Sequence, residues 1–543
     1  MRSRFRILLV VSAVLAMPFP GAPRASADPG PCAAIPLIDD HCERWVGTTE
    51  GGALVRTVAS PDGSTVFATG AVLDSNDSED VLTAAYRAAT GELLWRATYG
   101  GANAQQAQAI AVSPDGRHVY VAGWTQVNNG SFFGGYHGVV VSYDAGSGTE
   151  RWATVYTSPD QRDENPWGIA VGPSVDATGH TVDPETVYVS GVEQLPSQTE
   201  GDPRDANFVA VAFDGATGAV RWRSLYDGPA HEWDYGYEIA RSPDGRFVYL
   251  SGTSETSVPD PNDYTGDMTV VAFDAASGER RWVSRYVGPE HRAGMALGIA
   301  VSPDANVVAV TGMTQQGQGA GLTTVNPHPF RTTVYVTAAF DARTGEPLWS
   351  TQHVGSRGPD QIPDYYNDPG LNTTVFVNGM GDQSNGLAFA PDGSTLYVAG
   401  TVRNFPNGTD YGTIAYDPAT GRERWTAIYD GPSHRFDYAQ ALAVSPDGSR
   451  IYVTGESAWW GLFQFDFAGE SFGYAADDVA TVAYDAAGKQ VWVARYDGPG
   501  RHSDAGIDLA ATSSGVFVAG LVADGSDPVV TRHDDAAVLA YDV

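Results

Sequence analysis

Short runs of alternating apolar and polar residues, separated by turn sequences, recur along almost the whole chain. In a typical unit an Ile-Ala-Val run precedes Ser-Pro-Asp-Gly, where proline presets φ and glycine tolerates a positive φ. A Val-Tyr-Val run, a connection of variable length, a Thr-Val-Ala-Tyr-Asp run and a second turn, Asp-Ala-x-Thr-Gly, come next. A run with one tryptophan ends the unit. Valine, tyrosine and threonine between Gly, Pro and Asp predict four short β-strands per unit, and helical periodicity is nearly absent.

The tryptophan of the fourth run counts the units. It occurs at Trp45, Trp95, Trp152, Trp222, Trp282, Trp349, Trp425 and Trp492. An aromatic residue of the third run also occurs eight times: Tyr86, Tyr143, Phe213, Phe273, Phe340, Tyr416, Tyr484 and Tyr541. Repeats of four strands predict an all-β, eight-bladed β-propeller with four-stranded antiparallel blades.

The two chain ends predict how the ring closes. The chain stops directly after a third run, so the last unit lacks its tryptophan strand. The segment Cys42–Trp45 matches Arg422–Trp425 and precedes a first run. We therefore expect the N-terminal segment to complete the C-terminal blade, which removes two exposed sheet edges. Seven blades with a stray N-terminal strand is the alternative.

The first 27 residues have the pattern of a secretory signal peptide. Three arginines among the first six residues precede a short apolar run over residues 7–17 and an Ala-Ser-Ala sequence at 25–27. The apolar run is too short to span a bilayer. We expect cleavage after Ala27 and release outside the cell. The predicted domains are a signal peptide (1–27), an N-terminal segment (28–41) and one propeller domain (42–543).

The chain contains two cysteines, Cys32 and Cys42, directly behind the predicted cleavage site. In an oxidising compartment, two cysteines at this spacing predict a disulfide bond that closes a small N-terminal loop.

The charge balance is strongly acidic. Four of the 32 basic residues lie in the signal peptide, which leaves 28 against 65 acidic residues. This excess argues against a nucleic acid or an anionic membrane surface as a partner. We expect a monomer that binds a small molecule, a glycan or a protein.

The run Ala-Tyr-Asp-x-x-Thr-Gly-x-x-x-Trp resembles the tryptophan-docking motif of the PQQ-type propellers, which include quinoprotein alcohol dehydrogenases and outer-membrane assembly propellers. The tryptophan strand, the Gly-Pro connection and the next Tyr-Val-x-Gly strand are similar to the bacterial β-propeller repeat called SBBP, common in exported proteins. The resemblance covers about residues 42–543 and is specific for fold, since these folds host unrelated functions.

The resemblance to quinoproteins can be tested on residues. Quinoprotein alcohol dehydrogenases place a vicinal cysteine pair over the quinone and bind calcium beside a catalytic aspartate. This chain has no adjacent cysteines and no stretch that matches the calcium ligands. We therefore do not expect PQQ, and a PQQ-dependent oxidoreductase is the third-ranked function.

The variable connections and the fourth-to-first connections are predicted to share one face of the propeller, opposite the short constant turns. Long variable loops on a rigid scaffold suggest that this face carries function. Two of these loops are rich in aromatic residues, which stack on sugar rings or apolar ligands. The candidate ligand-binding residues are Trp459, Trp460, Phe132, Phe133 and Tyr136. The alternative is that each loop forms its own small core.

Charged residues interrupt the repeat where the innermost strands approach the axis. Arg56, Glu238 and Asp508 replace alanine or glycine, and Arg241 replaces an apolar residue. Ionised groups near a narrow axis are costly unless they are paired or functional. With His231 and His434, which recur in the Gly-Pro connections, they are the candidate catalytic residues. The alternatives are an arginine–carboxylate pair across the channel and hydrogen bonds that stabilise the histidine loops.

Carboxylates recur five residues before the Ile or Leu of the first strand. A ring of hard oxygen ligands at a funnel mouth is suited to calcium. The alternative is a loop-capping aspartate in each blade. The candidate metal ligands are Asp234, Asp437, Asp504, Glu164 and Asp382.

These features rank the functions. The first hypothesis is a secreted binding or scaffold propeller that recognises a ligand on its long-loop face. The second is a secreted hydrolase, lyase or lactonase with a funnel active site and a bound calcium ion.

Overall fold

The computed structural model describes residues 43–49, 52–74, 78–101, 103–127, 135–160, 162–194, 206–256, 266–288, 294–316, 332–355, 365–368, 373–376, 382–404, 408–460, 476–499, 504–523 and 534–543. Within these ranges the protein is all-β and contains no helix, as the run pattern predicts. None of the described segments could cross a membrane as an apolar helix. The predicted signal peptide and both cysteines, Cys32 and Cys42, lie outside the described residues.

Eight four-stranded antiparallel sheets form the blades. Blade 1 contains β2 (Gly52–Ala59), β3 (Thr65–Leu73), β4 (Glu79–Arg87) and β5 (Leu93–Tyr99); blade 2 contains β6 (Gln105–Val112), β7 (His118–Val127), β8 (Gly135–Asp144) and β9 (Glu150–Tyr156); blade 3 contains β10 (Asp163–Val175), β11 (Thr181–Gln194), β12 (Ala206–Asp214) and β13 (Val220–Tyr226); blade 4 contains β14 (Asp234–Arg241), β15 (Phe247–Glu255), β16 (Gly266–Asp274) and β17 (Arg280–Tyr286).

The second half of the ring follows the same plan. Blade 5 contains β18 (Gly294–Val301), β19 (Val307–Gln316), β20 (Thr332–Asp341) and β21 (Pro347–His353); blade 6 contains β24 (Gln383–Phe389), β25 (Leu396–Asn404), β26 (Gly408–Tyr416) and β27 (Glu423–Tyr429); blade 7 contains β28 (Asp437–Val444), β29 (Arg450–Trp460), β30 (Ala476–Asp485) and β31 (Gln490–Tyr496). A two-stranded hairpin, β22 (Tyr365–Asp368) and β23 (Thr373–Phe376), lies between blades 5 and 6. The repeat does not predict this hairpin, because it lies in a connection between blades that is longer than the corresponding connections elsewhere in the chain.

Blade 8 is built from both ends of the chain. Its strands are β32 (Ala505–Ala511), β33 (Val516–Ala523), β34 (Asp534–Tyr541) and, as the outermost strand, β1 (Glu43–Thr49). Strand β1 pairs antiparallel with β34, with Trp45 opposite Ala540 and Thr49 opposite Ala536. The predicted closure and the count of eight blades are confirmed, and the seven-bladed alternative is excluded.

The repeated tryptophans join neighbouring blades. Seven of them donate the indole N–H to a backbone carbonyl in the third turn of the next blade, at 2.7–3.3 Å. The glycine of that turn adopts a φ near +70° and lies against the indole: a Cβ on Gly148 would meet Trp95 at 2.5 Å. The Asp-x-x-Thr-Gly…Trp repeat is therefore an inter-blade contact as well as a hairpin.

The first strand of every blade is innermost, and each one contacts the first strands of both neighbouring blades, which closes a ring around the axis. Antiparallel order then puts the first and third turns of every blade on one face. The second connection and the link to the next blade lie on the other, which we call the long-loop face.

Candidate functional site

The innermost strands alternate between fully buried residues and half-buried residues that face the channel. The half-buried residues at one equivalent position of the eight innermost strands form a ring: Val55, Gln108, Trp167, Tyr237, Leu297, Asn385, Gln440 and Ile507. Two positions nearer the long-loop face, Gln106, Asn165, Tyr235 and Tyr438 are also half-buried. The lining therefore combines side-chain amides with aromatic rings, and the amides supply both hydrogen-bond donors and acceptors.

Four aromatic residues of blades 3 and 4 form a continuous series, here called the aromatic arc. Trp167 and Tyr237 have ring centroids 6.4 Å apart and meet edge to face. Tyr237 and Tyr235 are stacked at 6.5 Å, and Tyr235 meets Trp233 edge to face at 5.8 Å. The indole nitrogen of Trp167 is buried and has no hydrogen-bond partner within the described part of the chain. The arc thus offers partly exposed aromatic rings to the channel, as ligand sites do.

Three charged residues that interrupt the repeat are brought together at the axis. Arg56 of blade 1 reaches Glu238 of blade 4, with Nη2 and Oε1 3.6 Å apart. Asp508 of blade 8 accepts a hydrogen bond of 2.8 Å from the backbone N–H of Thr57. The side chains of Arg56 and Glu238 remain 36% and 35% exposed, so water reaches the pair through the channel. The pair across the channel weighed in the sequence analysis is present.

The surroundings of Glu238 and Asp508 disfavour their ionised forms. Burial raises the pKa of Glu238, the Arg56 charge opposes this, and the nearby Asp508 carboxylate raises it again. Burial also raises the pKa of Asp508, again opposed by Arg56. One arginine between two carboxylates leaves the group with an excess negative charge, which makes a proton or a polar ligand favourable there.

Arg241 lies further along the same innermost strand. Its guanidinium packs where a side chain on Gly172 of the neighbouring blade would stand, and Nη1 donates to the carbonyl of Ser242 at 2.9 Å. Burial lowers the pKa of Arg241, while Tyr188 and Asp244 raise it. These contacts are with its own turn and the next blade, not with the Arg56–Glu238 pair.

The two recurrent histidines lie on the long-loop face in loops of the same geometry. His231 and His434 both have a left-handed backbone, with φ of 53° and 52°. Their Nδ1 atoms lie 2.7 Å from Asp227 and 2.8 Å from Asp430 respectively. Both side chains are exposed, and these contacts fit the loop-stabilising alternative.

The five carboxylates predicted as metal ligands are buried, each at a different blade boundary. Asp234, Asp437 and Asp504 each accept a hydrogen bond from a glycine N–H in the preceding connection, and Asp382 accepts one from Gly355 at 2.8 Å. Glu164 accepts one from Arg223 at 2.6 Å. Burial raises the pKa of Asp234 and Asp437 to about 6 and that of Glu164 to about 7. These contacts correspond to the loop-capping alternative. Within the described residues, the five do not converge on one point.

The predicted ligand-binding aromatics are placed only in part. Tyr136 lies on β8, where its ring meets Trp124 edge to face at 4.9 Å and its N–H donates to Asp163 at 3.2 Å. Trp459 and Trp460 end β29 at the long-loop face. Phe132 and Phe133 lie outside the described residues.

The aromatic arc and the channel amides are not among the site residues predicted from sequence. In the sequences Asp-Tyr-Gly-Tyr-Glu and Glu-Asn-Pro-Trp-Gly, only the carboxylates Asp234, Glu238 and Glu164 are predicted site residues. A comparison of the eight first strands position by position shows the signal, because the rings stand where other blades carry alanine, glutamine or leucine.

Comparisons with known proteins agree with the fold. Residues 333–543 match the family model described as outer membrane protein assembly factor BamB. This part of the chain is similar to the outer-membrane assembly propellers whose docking motif the repeat resembles. None of the curated protein sequences matches the chain.

Solved structures cover almost the whole chain at low identity. Sqt1 from Chaetomium thermophilum is similar with a TM-score of 0.51 and 13% identity over 93% of this chain and 98% of that chain. The same protein bound to the N-terminus of the ribosomal protein L10 gives 0.52 and 12% over 93% and 100%. Quinohemoprotein alcohol dehydrogenase from Comamonas testosteroni gives 0.48 and 12% over 93% and 76%. At these identities the likeness concerns the fold.

Proposed function

We propose that this propeller is a secreted binding protein that holds a carbohydrate at the channel mouth on its long-loop face. The observation that carries the proposal is the half-exposed aromatic arc in the same rings as the channel amides. Aromatic faces stack on the C–H faces of sugar rings, and amides match hydroxyl groups as both donors and acceptors.

Two further features support a neutral polar ligand. Among the eight residues that directly follow this ring along the innermost strands, only Arg56, Glu238 and Asp508 carry a charge, and Arg56 already contacts Glu238. The ring also contains the side-chain amides of Gln108, Asn385 and Gln440, which are polar but uncharged. Sqt1, which has the same fold, binds the end of a protein, so a peptide is the competing ligand class.

A glycan array followed by calorimetry of the best binder tests the proposal. We expect Trp167→Ala and Tyr237→Ala to weaken binding about tenfold or more, the usual size for a central aromatic contact. Ile507→Ala changes the same ring position in blade 8 and serves as the matched control, with binding near wild type. Thermal midpoints show that each variant is folded.

Binding of peptides but not glycans would replace the carbohydrate with a protein ligand. Glycan binding that both aromatic variants retain would contradict the assignment of the arc.

A hydrolase, lyase or lactonase is the second candidate, favoured by the raised pKa of Glu238 in a channel that water enters. A carboxyl group with a raised pKa keeps its proton to a higher pH, which suits it to general acid catalysis. A screen of glycosidic, ester and lactone substrates tests this function. Turnover that survives both Glu238→Gln and Asp508→Asn would remove these residues from the mechanism.

PQQ fits the axis poorly. The quinone carries carboxylate groups, and at the axis it would meet Glu238 and Asp508, with Arg56 already engaged by Glu238. We expect added PQQ and calcium to produce no dye reduction with alcohols or sugars.

A further inference from the structure

The connection between blades 6 and 7, residues 430–438, holds two carboxylates side by side. Asp437 is fully buried, and its Oδ2 accepts a hydrogen bond from the Gly431 N–H at 2.7 Å. Asp430 is partly buried, and its Oδ2 lies 2.8 Å from His434 Nδ1. One oxygen of each carboxylate is thus fixed, which orients the other.

A third carboxylate comes from β26 of blade 6. Thr409 and Phe436 form a parallel bridge, and the Thr409 N–H donates to the Arg435 carbonyl at 3.2 Å. This bridge places the next residue, Asp410, which is fully buried, against the connection. Oxygen atoms of Asp410, Asp430 and Asp437 all lie within 4.8 Å of one another.

Two oxygens of this group have unused hydrogen-bonding capacity. Oδ1 of Asp430 and Oδ1 of Asp437 are buried and have no hydrogen bond of good geometry within the described ranges, although the Ser457 hydroxyl lies beside the Asp437 carboxylate. A buried carboxylate oxygen without a donor is costly, and such atoms normally have a proton, a water molecule or an ion beside them.

The surrounding charges add to the need for a cation. Asp477 lies close enough to Asp437 and Glu456 to interact with both electrostatically. Arg495 is buried here, but its Nη2 is 2.8 Å from Asp478, and it also donates to Ser457. The guanidinium therefore contacts Asp478 directly, and its charge also acts on Asp437.

We propose that Asp410, Asp430 and Asp437 bind a divalent cation, with calcium as the expected ion. The ligands differ from the five-residue ring considered in the sequence analysis, since only Asp437 belongs to both. Calcium takes oxygen ligands at about 2.3–2.6 Å in flexible geometry, which suits three carboxylates at this spacing. Zinc is disfavoured because structural zinc sites use cysteine and histidine.

The boundary between blades 3 and 4 can be compared directly with the boundary between blades 6 and 7. The connection 227–235 repeats the same geometry: Ala206 bridges Trp233, Asp234 accepts from Gly228, and His231 contacts Asp227. The residue after the bridge is Asn207 where blade 6 has Asp410. This boundary therefore offers two carboxylates where the other offers three, and fewer ligand charges lower calcium affinity.

Calorimetric titration of the chelator-treated full-length protein with calcium, and separately with magnesium, tests the site. We expect one saturable calcium site and a rise in the thermal midpoint with calcium. Asp410→Asn keeps the shape of the side chain but removes its charge. It should weaken calcium binding about tenfold or more, because calcium affinity falls with the number of charged ligands. Asp227→Asn removes, at the other boundary, the charge that corresponds to Asp430 and should leave this site unchanged.

A gain-of-site variant keeps the test independent of folding defects. Asn207→Asp should add a second calcium site, so that the stoichiometry rises from one to two. Absence of saturable calcium binding in the wild type, or binding that Asp410→Asn leaves unchanged, would overturn the proposal. A stoichiometry unchanged by Asn207→Asp would contradict the role of the third carboxylate.

Discussion

At the scale of single residues, the axial group of Arg56, Glu238 and Asp508 links pH to stability. Burial raises the pKa of both carboxyl groups above the ordinary values of 4.5 and 3.8. An acid whose pKa is higher in the folded state holds its proton more tightly there. Its contribution to the free energy of unfolding is complete below its ordinary pKa. This contribution is lost as the pH rises towards the pKa of the group in the folded protein.

Asp508→Asn tests this linkage. The amide cannot ionise but can still accept the Thr57 hydrogen bond. We expect the thermal midpoint of the variant to fall less than that of the wild type as the pH rises above 3.8, the ordinary pKa of this carboxyl group. Thermal denaturation across this pH range measures the difference.

Asp62→Asn is a control for which the pH dependence of stability has the opposite sign. Hydrogen bonds from Ser60 and Ser64 lower the pKa of Asp62, so its contribution is present above its ordinary pKa of 3.8 and is lost as the pH falls through the lowered value. The thermal midpoint of the Asp62→Asn variant should therefore fall less than that of the wild type as the pH is lowered. Parallel pH profiles for wild type and Asp508→Asn would contradict the account of the axis.

At the scale of elements, the third turn and the tryptophan strand stabilise the packing of one blade on the next. A side chain on Gly148 would have to adopt a φ of +69° and would also meet the Trp95 indole at 2.5 Å. A side chain on Gly116, in the first turn of the same blade, needs a similar φ of +73° but meets only Pro61, at 3.3 Å.

Gly116→Ala should therefore cost about 1–2 kcal/mol, the penalty for a left-handed alanine. Gly148→Ala should cost roughly 1–3 kcal/mol more, because the tryptophan must shift out of its site. Chemical denaturation of both variants measures the two values. Equal losses would show that the turn is needed for its backbone alone and not for docking the indole.

At the scale of the whole molecule, ring closure depends on the N-terminal strand. Trp45 is 9% exposed, stacks on Tyr86 at 6.0 Å, contacts the Phe517 ring at 5.8 Å and donates to the Ala88 carbonyl at 3.0 Å. Its loss empties a site between the first and last blades.

We expect Trp45→Ala to lower the free energy of unfolding by about 3–5 kcal/mol. Removal of residues 28–48 should do more, because it also exposes the edge of β34 to aggregation. Arg44→Ala is the control: its ion pair with Asp542, at 3.6 Å, is exposed and worth about 1 kcal/mol or less. A truncated protein with the same thermal midpoint as the full mature form would contradict closure of the ring by β1.

The fold was predictable from sequence because its signals are local and repeated. Alternation gives a strand, Ser-Pro-Asp-Gly and Asp-x-x-Thr-Gly each give a turn, and eight tryptophans count the blades. The closing strand was predictable for the same reason, since the segment around Trp45 resembles the segment around Trp425. Each of these patterns is formed by residues that are adjacent in sequence. Where a pattern is weak in one unit, the same pattern in the other seven units identifies it.

The candidate sites depended on tertiary structure, because they join residues of different blades. The sequence marked Arg56, Glu238 and Asp508 as exceptions, but only the closed ring brings blades 1, 4 and 8 together at the axis. The carboxylate group of Asp410, Asp430 and Asp437 was hidden for a different reason. Asp410 lies within an ordinary third strand, and a single parallel bridge decides that it meets the next connection. Local pattern determines the strands, whereas the proximity of side chains distant in sequence is set by the geometry of the ring.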